Sequence, residues 1–305
     1  MTFNVRYFGQ YLKGAGSTRH SMRAICSAIA ELDESPDIIC LQEVETRSLR
    51  SFFSRDPQQP KATQFEGVMQ TLASSLLAAK RDTEYQGFYF PAHAYALGPT
   101  NLYSMGLAML VSKRFVVERE NSASPQDVTH RRIRALAKLK QSRICAHVKI
   151  RDADGTEYDL FNTHLSLPAF ASKVFWSKYP GVGFGENQKI EVEQVADFIQ
   201  SRKSSERFVI LGDFNASPGT PAYDIILQRL SLTDPFCDQL SMSPADLSSH
   251  WPTAGFLNLR MRLDHIFMGS GLRCVDLEDC HPFTTAGRWT GLSDHVPLLA
   301  RFCPV

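Results

Sequence analysis

The chain has 305 residues, 43% hydrophobic and 21% charged, ordinary values for a soluble globular protein and enough length for a large core without staples. A net charge of +1 excludes a global field that would recruit nucleic acid or an anionic membrane, leaving only local patches. Seven scattered cysteines with no CxxC spacing argue against a disulfide framework and a zinc cluster, and no apolar run is long enough for a membrane span. No signal-peptide pattern is present, so the sequence as given reads as cytoplasmic. The strand-like pattern starts at residue 1, and a removed targeting segment would leave no trace.

In chain order, Thr2–Tyr7 alternates and predicts a strand, with Asn4 polar among apolar neighbours. Ser17 and Thr18 cap a helix over 17–32, with Met22, Ile25, Ile29 and Leu32 at helical spacing, and Ser35-Pro36 ends it. The apolar run Asp37–Leu41 is a second strand, followed by Gln42-Glu43-Val44. A right-handed β-α-β crossover makes these strands parallel and brings Asn4 near Glu43. Taken alone, Glu43 reads as readily as a solvated strand-end carboxylate.

Residues 49–63 are polar and irregular, and Phe65–Ala79 predicts a helix. Tyr85–Pro91 and Met105–Val111 predict strands on either side of an aromatic, Gly/Pro-containing loop, His93–Ser104. Residues 131–143 are basic (Arg131, Arg132, Arg134, Lys138, Lys140, Arg143), either a solvated face or a phosphate track. Arg143–Arg151 and Glu157–Leu165 predict a hairpin around the turn dipeptide Asp154-Gly155, and His164 ends its second strand. Residues 168–187 form an insertion with Phe170, Phe175, Trp176, Tyr179 and Phe184, suited to a lipid interface or to stacked bases.

Glu191–Ile199 predicts an amphipathic helix. Phe208–Leu211 is a buried strand, and Gly212 turns the chain so that Asp213 and Asn215 project the same way. Thr220-Pro221 caps a helix to Leu230. Arg262–Met268 predicts a strand carrying Asp264, and Ser293-Asp294-His295 opens a last strand to Phe302. With no repeat, low-complexity run or linker, one domain spans residues 1–305.

Polar residues thus recur at strand ends: Asn4, Glu43, His164, Asp213, Asn215, Asp264, Asp294 and His295. Carboxylates without cysteine partners suit a hard cation such as Mg²⁺ or Mn²⁺. The ordered set FNVR, LQEV, NTHL, LGDFN, RLDHIF and SDHVP resembles the endonuclease/exonuclease/phosphatase superfamily, which includes deoxyribonuclease I, abasic-site endonucleases, neutral sphingomyelinases and inositol polyphosphate 5-phosphatases. The resemblance implies a four-layer α/β sandwich of two mixed sheets with helices outside and the site at one edge. It implies Mg²⁺ or Mn²⁺ at Glu43, with Asn4 and Asp294 in the metal site. It also implies that Asp213 orients or deprotonates water, Asn215 binds the scissile phosphate, and Asp264 orients His295. His164 is implied as a general acid or phosphate ligand, and the general base is left between Asp213 and His295. The expected substrate is a lipid or small-molecule phosphodiester, as in the sphingomyelinase-like members, with DNA or RNA as the alternative; the chain is expected to act as a monomer.

Overall fold

Strand β1 (Thr2–Asn4) pairs in parallel with β2 (Ile38–Val44), Asn4 standing opposite Gln42. Between them in sequence lies α1 (Thr18–Ala30), which buries Met22, Ile25, Cys26 and Ile29. The structure, a computed structural model, describes residues 1–8, 18–46, 63–97, 100–130, 141–167, 182–256, 259–278 and 287–305. The basic residues 131–140 and the aromatic residues 168–181 lie outside that set.

Helix α2 (Gln64–Ala78) opens on a capping box: Thr63 accepts from the Glu66 amide, and the Glu66 carboxylate accepts from the Thr63 amide at 2.6 Å. The next strands, β3 (Tyr85–Leu97) and β4 (Thr100–Ser112), are longer than their apolar cores predict. The segment expected as a loop over His93–Ser104 instead continues the hairpin, with His93 opposite Met105 after a register shift at Pro91. Bulges absorb the irregular residues there without ending the ladder. The first sheet has the order β1-β2-β4-β3.

The second sheet begins with β5 (Val116–Glu120) and β6 (Gln126–Asp127), both paired to β7 (Ile144–Arg151), and continues with β8 (Glu157–His164). Helix α3 (Glu186–Arg202) starts five residues before the expected Glu191, because the Gln188 side chain accepts from the Gly183 and Gly185 amides and fixes the entry turn. Next come β9 (Phe208–Asp213), α4 (Pro221–Leu230), α5 (Pro235–Leu240), α6 (Pro244–His250), β10 (Ala254–Phe256), β11 (Leu259–Met261) and β12 (Asp264–Met268). Finally β13 (Leu272–Leu277) pairs with β14 (Ala300–Pro304). Residues 293–299, expected as strand, make only isolated bridges at His295 and Leu298; Pro297 has no amide to continue a ladder.

The second sheet runs β12-β9-β8-β7-β5 and is mixed, since β8 and β9 are parallel and their neighbours antiparallel. Its β9 shows how the layers arise. Val209 and Leu211 point between the sheets, against Cys40, Met109, Val111 and Ile266. Phe208 and Ile210 point outward, against Val195, Ile199 and Ile226 of α3 and α4. A strand buried on both faces must be apolar throughout, as the run Phe208–Leu211 is. On the other side α1 and α2 cover Phe3, Ile39, Leu41 and Leu110. Helices, sheet, sheet and helices make the four layers of the expected α/β sandwich.

One polar contact ties the two sheets together beneath the candidate site. Gln42 Nε2 donates to Asn162 Oδ1 at 2.8 Å, and Asn162 Nδ2 reaches the Leu41 and Ala108 carbonyls at 3.4 and 3.3 Å. Both side chains are fully buried, so these bonds help fix how the sheets sit on one another, although Gln42 Oε1 has no partner among the described residues.

Candidate active site

Three neighbouring strands bring three site residues level. Parallel pairing sets His164 beside Asp213, and antiparallel pairing sets Asp213 beside Asp264. Asn4 on β1 faces them across the sandwich: its Nδ2 donates to Asp213 Oδ2 at 2.9 Å and to Glu43 Oε1 at 3.3 Å. Glu43 lies in the bulge between Leu41 and Val44, with a left-handed φ of 58°. Strained backbone of this kind clusters at functional sites.

The turn after β9 is built around Asp213. Gly212 has φ 140°, and a Cβ there would lie 2.0 Å from the Thr163 carbonyl oxygen, so only glycine fits. Asn215 takes φ 48°, a region asparagine tolerates. Its amide donates to Asp213 Oδ1 at 2.9 Å, and its Nδ2 donates to the Leu165 carbonyl at 2.8 Å. Gln188 Nε2 holds the Asn215 carbonyl, and His265 Nε2 holds the Ala216 carbonyl at 2.7 Å.

His295 Nδ1 meets Asp264 Oδ2 at 2.8 Å, and its Nε2 lies 3.9 Å from Asp213 Oδ2. His164 Nε2 lies 3.5 Å from that same oxygen and 4.0 Å from Glu43. Asp294 sits at the mouth, paired with Arg6 at 3.1 Å. The eight candidate residues therefore converge on one edge of the sandwich. A cavity of about 740 Å³ opens at the opposite end, near the starts of β2 and β9, and none of them lines it.

Burial and charge set the protonation states. Burial, then the neighbouring Asp264, pushes Asp213 up to about 7. Burial works against a charged His295, but Asp264, Asp213 and Asp294 outweigh it and raise the imidazole to about 10. Burial, Arg143 and His295 together hold His164 well below the usual imidazole range, so it is neutral. Its Nδ1 is buried and has no hydrogen-bond partner among the described residues. Burial also raises Glu43, against the pull of His295 and Asn4.

Because His295 is raised in the fold, its stabilisation is complete below about pH 6.5, the unfolded-histidine value. It is lost as pH climbs through about 10. The stability advantage of the wild type over His295→Gln, from urea midpoints at pH 6, 8 and 10, is therefore expected to shrink steadily. An advantage constant across that range contradicts the charged pair.

Several residues around the site escaped the sequence reading. Arg143 was visible only as part of a basic run; here it is buried at the head of β7, close enough to act electrostatically on Glu43 and His164. The hairpin register, Cys145 opposite Thr163, is the signal that puts it beside the end of the His164 strand. Ser293 donates to the Asn4 carbonyl at 2.8 Å and accepts from the His295 amide at 3.2 Å, a role carried by backbone geometry and silent in sequence.

Asp213, Asp264 and His295 each offer a ligand atom within 4.8 Å of the others. The Asp264–His295 hydrogen bond occupies two of those groups. Glu43 and Asp294 are two further carboxylates, near enough for Asp294 to raise Glu43 electrostatically.

The profile of the Endonuclease/Exonuclease/phosphatase family matches residues 1–295. No curated protein matches the sequence. Among solved structures, an endonuclease/exonuclease/phosphatase from Bacteroides vulgatus superposes with TM-score 0.60 at 18% identity, covering 100% of this chain and 97% of its own. The mannosyl-6-phosphatase of Bacteroides thetaiotaomicron gives 0.58 at 15% identity, covering 99% and 98%. ANGEL2, a 2',3'-cyclic phosphatase solved with adenosine-2',3'-vanadate, gives 0.59 at 15% identity, covering 99% and 94%. At these identities the structures share the fold with this chain.

Proposed function

Since the chain belongs to the endonuclease/exonuclease/phosphatase family, we propose that it is a divalent-metal-dependent phosphoester hydrolase acting by in-line attack of water on phosphorus. The observation that carries this reading is the convergence on Asp213 Oδ2 of Asn4 Nδ2 at 2.9 Å, His164 Nε2 at 3.5 Å and His295 Nε2 at 3.9 Å.

Asp213 is the general base. Its carboxyl is raised to about 7, near neutral pH, where a base of that strength is well matched to its task. His295, raised to about 10, keeps its proton and serves as a cation toward the phosphoryl oxygens, with Asp264 holding the ring. Neutral His164 donates from Nε2 to a phosphate oxygen and does not carry the proton of a general acid; the leaving oxygen takes its proton from solvent water. Asn215 has one Nδ2 hydrogen on Leu165 and a second to give the phosphate. These donors stabilise the charge that builds on the phosphoryl oxygens.

The donor chemistry fits a hard cation. Glu43 and Asp294 would hold Mg²⁺ or Mn²⁺, which supplies Lewis-acid stabilisation of the phosphoryl charge when bound. Asn4 spends its Nδ2 on Glu43 and Asp213, and its Oδ1 accepts from the Arg6 amide at 3.0 Å. That supports Asn4 as the group that aims the ligand Glu43.

For the substrate we retain a lipid or small-molecule phosphoester, supported by the net charge of +1. The second reading is a nucleotide or nucleic-acid phosphoester, supported by the fold shared with a 2',3'-cyclic phosphatase. A panel with Mg²⁺ or Mn²⁺ tests both: sphingomyelin, lysophospholipid, sugar phosphate, inositol phosphates, 2',3'-cyclic nucleotide, poly(A), and plasmid and abasic DNA. Turnover of a lipid or small phosphoester is expected. Turnover confined to nucleic acid moves the assignment to the second reading, and turnover of none rejects the hydrolase.

A further inference from the structure

Asp264 opens β12, whereas His295 lies thirty-one residues later in a segment outside any named strand. Their 2.8 Å contact needs something that fixes both backbones at once. Thr253 stands at that point and is 1% exposed. Its hydroxyl oxygen accepts from the Leu263 amide at 2.9 Å and from the Asp264 amide at 3.0 Å. Its carbonyl accepts from the Val296 amide at 2.9 Å, and its amide donates to the Met261 carbonyl at 2.8 Å. The next residues continue the tie: Ala254 bridges His295, and the Gly255 amide donates to the Asp294 carbonyl at 2.8 Å.

We propose that Thr253 is a positioning residue for the Asp264–His295 pair, its hydroxyl setting the backbone that carries Asp264 and its carbonyl the backbone that carries His295. The kinetic consequence rests on the hydrolase reading above; the geometric one does not. The side-chain oxygen is the informative half. Two adjacent buried amides share it, so a methyl in its place leaves both without an acceptor, and buried amides move to find one. The shift falls on Asp264 directly and on His295 through it. Nothing in Thr253 touches the reacting atoms, so substrate binding is spared while the chemical step suffers.

Thr253→Val, nearly isosteric, and Thr253→Ser, which keeps the oxygen, separate this from a packing role. Thr253→Val is expected to lose about 10- to 100-fold in kcat with KM within about 3-fold, the scale of a misplacement approaching 1 Å. Thr253→Ser is expected to stay within about 3-fold of wild type. The second readout is the downfield proton NMR signal of the His295 Nδ1–H held by Asp264, assigned by its loss in Asp264→Asn. It is expected to persist in Thr253→Ser and to weaken or vanish in Thr253→Val.

Wild-type kcat and an unchanged downfield signal in Thr253→Val overturn the proposal, as does a Thr253→Ser as impaired as Thr253→Val. Should Thr253→Val not fold, Thr253→Cys, a weak acceptor close to serine in shape, replaces it, and equal kcat for the cysteine and serine variants overturns it. If no phosphoester is turned over by the wild type, the hydrolase reading has failed and the NMR signal alone decides Thr253.

Discussion

His295→Ala is expected to lower turnover by about 10³- to 10⁴-fold, the upper range for a group that handles charge or protons in the transition state. The geometry explains why so much depends on one ring. Asp264 bonds its Nδ1 at 2.8 Å, and Nε2 stands 3.9 Å from Asp213, the proposed base. Alanine removes the cation that Asp264, Asp213 and Asp294 keep protonated up to about pH 10. It also leaves Asp264 buried with Oδ2 unpaired beside an Oδ1 that already lacks a partner among the described residues. The fold should survive, because His295 lies outside the apolar clusters, but an unpaired buried acceptor costs about 1–3 kcal/mol. A melting temperature lower by several degrees is the expected companion result.

Asp213→Asn should cost a similar factor, since the amide cannot accept the water's proton. Combining it with His295→Ala should cost little more than either alone, as groups that work as a unit are non-additive. Asp264→Asn keeps a hydrogen-bonding side chain and should cost less than loss of the ring. Steady-state kinetics on the substrate found in the panel, with circular dichroism of each variant, checks the series. Near-wild-type turnover in both His295→Ala and Asp264→Asn removes the site from consideration.

The strand ends were legible because their chemistry contradicts their surroundings. An asparagine in the opening strand, a histidine at the end of a hairpin strand, and Asp213 after an apolar run each break a pattern that burial would otherwise dictate. The parallel β-α-β topology of residues 2–44 was legible for the same reason, since an amphipathic helix between two apolar runs leaves one parallel pairing, but the first strand ends at Asn4 rather than Tyr7, because Arg6–Phe8 turn into a 3-10 helix. What stayed hidden was carried by main-chain geometry. Thr253 acts through hydrogen bonds to amides, and the Glu43 bulge is a φ of 58°; neither leaves a mark in composition or periodicity. The hairpin over 85–112 reads shorter in the sequence because Gly98 and Pro99 make the whole 93–104 stretch look like a loop, whereas pairing continues to Leu97 opposite Thr100 through register shifts after Pro91 and Tyr95. Helices α5 and α6 are six and seven residues long, too short for a periodic signal, although each starts with proline behind an Asp or Ser cap.

The second large effect concerns the metal. Glu43→Gln is expected to lose at least about 100-fold in turnover at low Mg²⁺ and to recover part of it at high Mg²⁺, as a weakened ligand set does. Glutamine keeps the length of the side chain and an oxygen for the Asn4 amide, which lies 3.3 Å from Glu43 Oε1, so the variant removes charge with little change in shape. Burial penalises the charged Glu43 carboxylate, and no apolar cluster contains it, so a neutral glutamine should leave the fold no less stable. The loss is then attributable to cation affinity, which Mn²⁺ titration by calorimetry measures without any substrate. Asp294→Asn should weaken the same titration. It also breaks the Arg6 pair at 3.1 Å, so its effect on substrate affinity is separable from that of Glu43→Gln. Asp213→Asn should leave the Mn²⁺ titration within about 3-fold of wild type, because the proposed base is not a ligand in this assignment. Full turnover in excess EDTA would sink the metal requirement altogether. Loss of Mn²⁺ binding in Asp213→Asn, with Glu43→Gln unaffected, would move the ion to the Asp213–Asp264–His295 group.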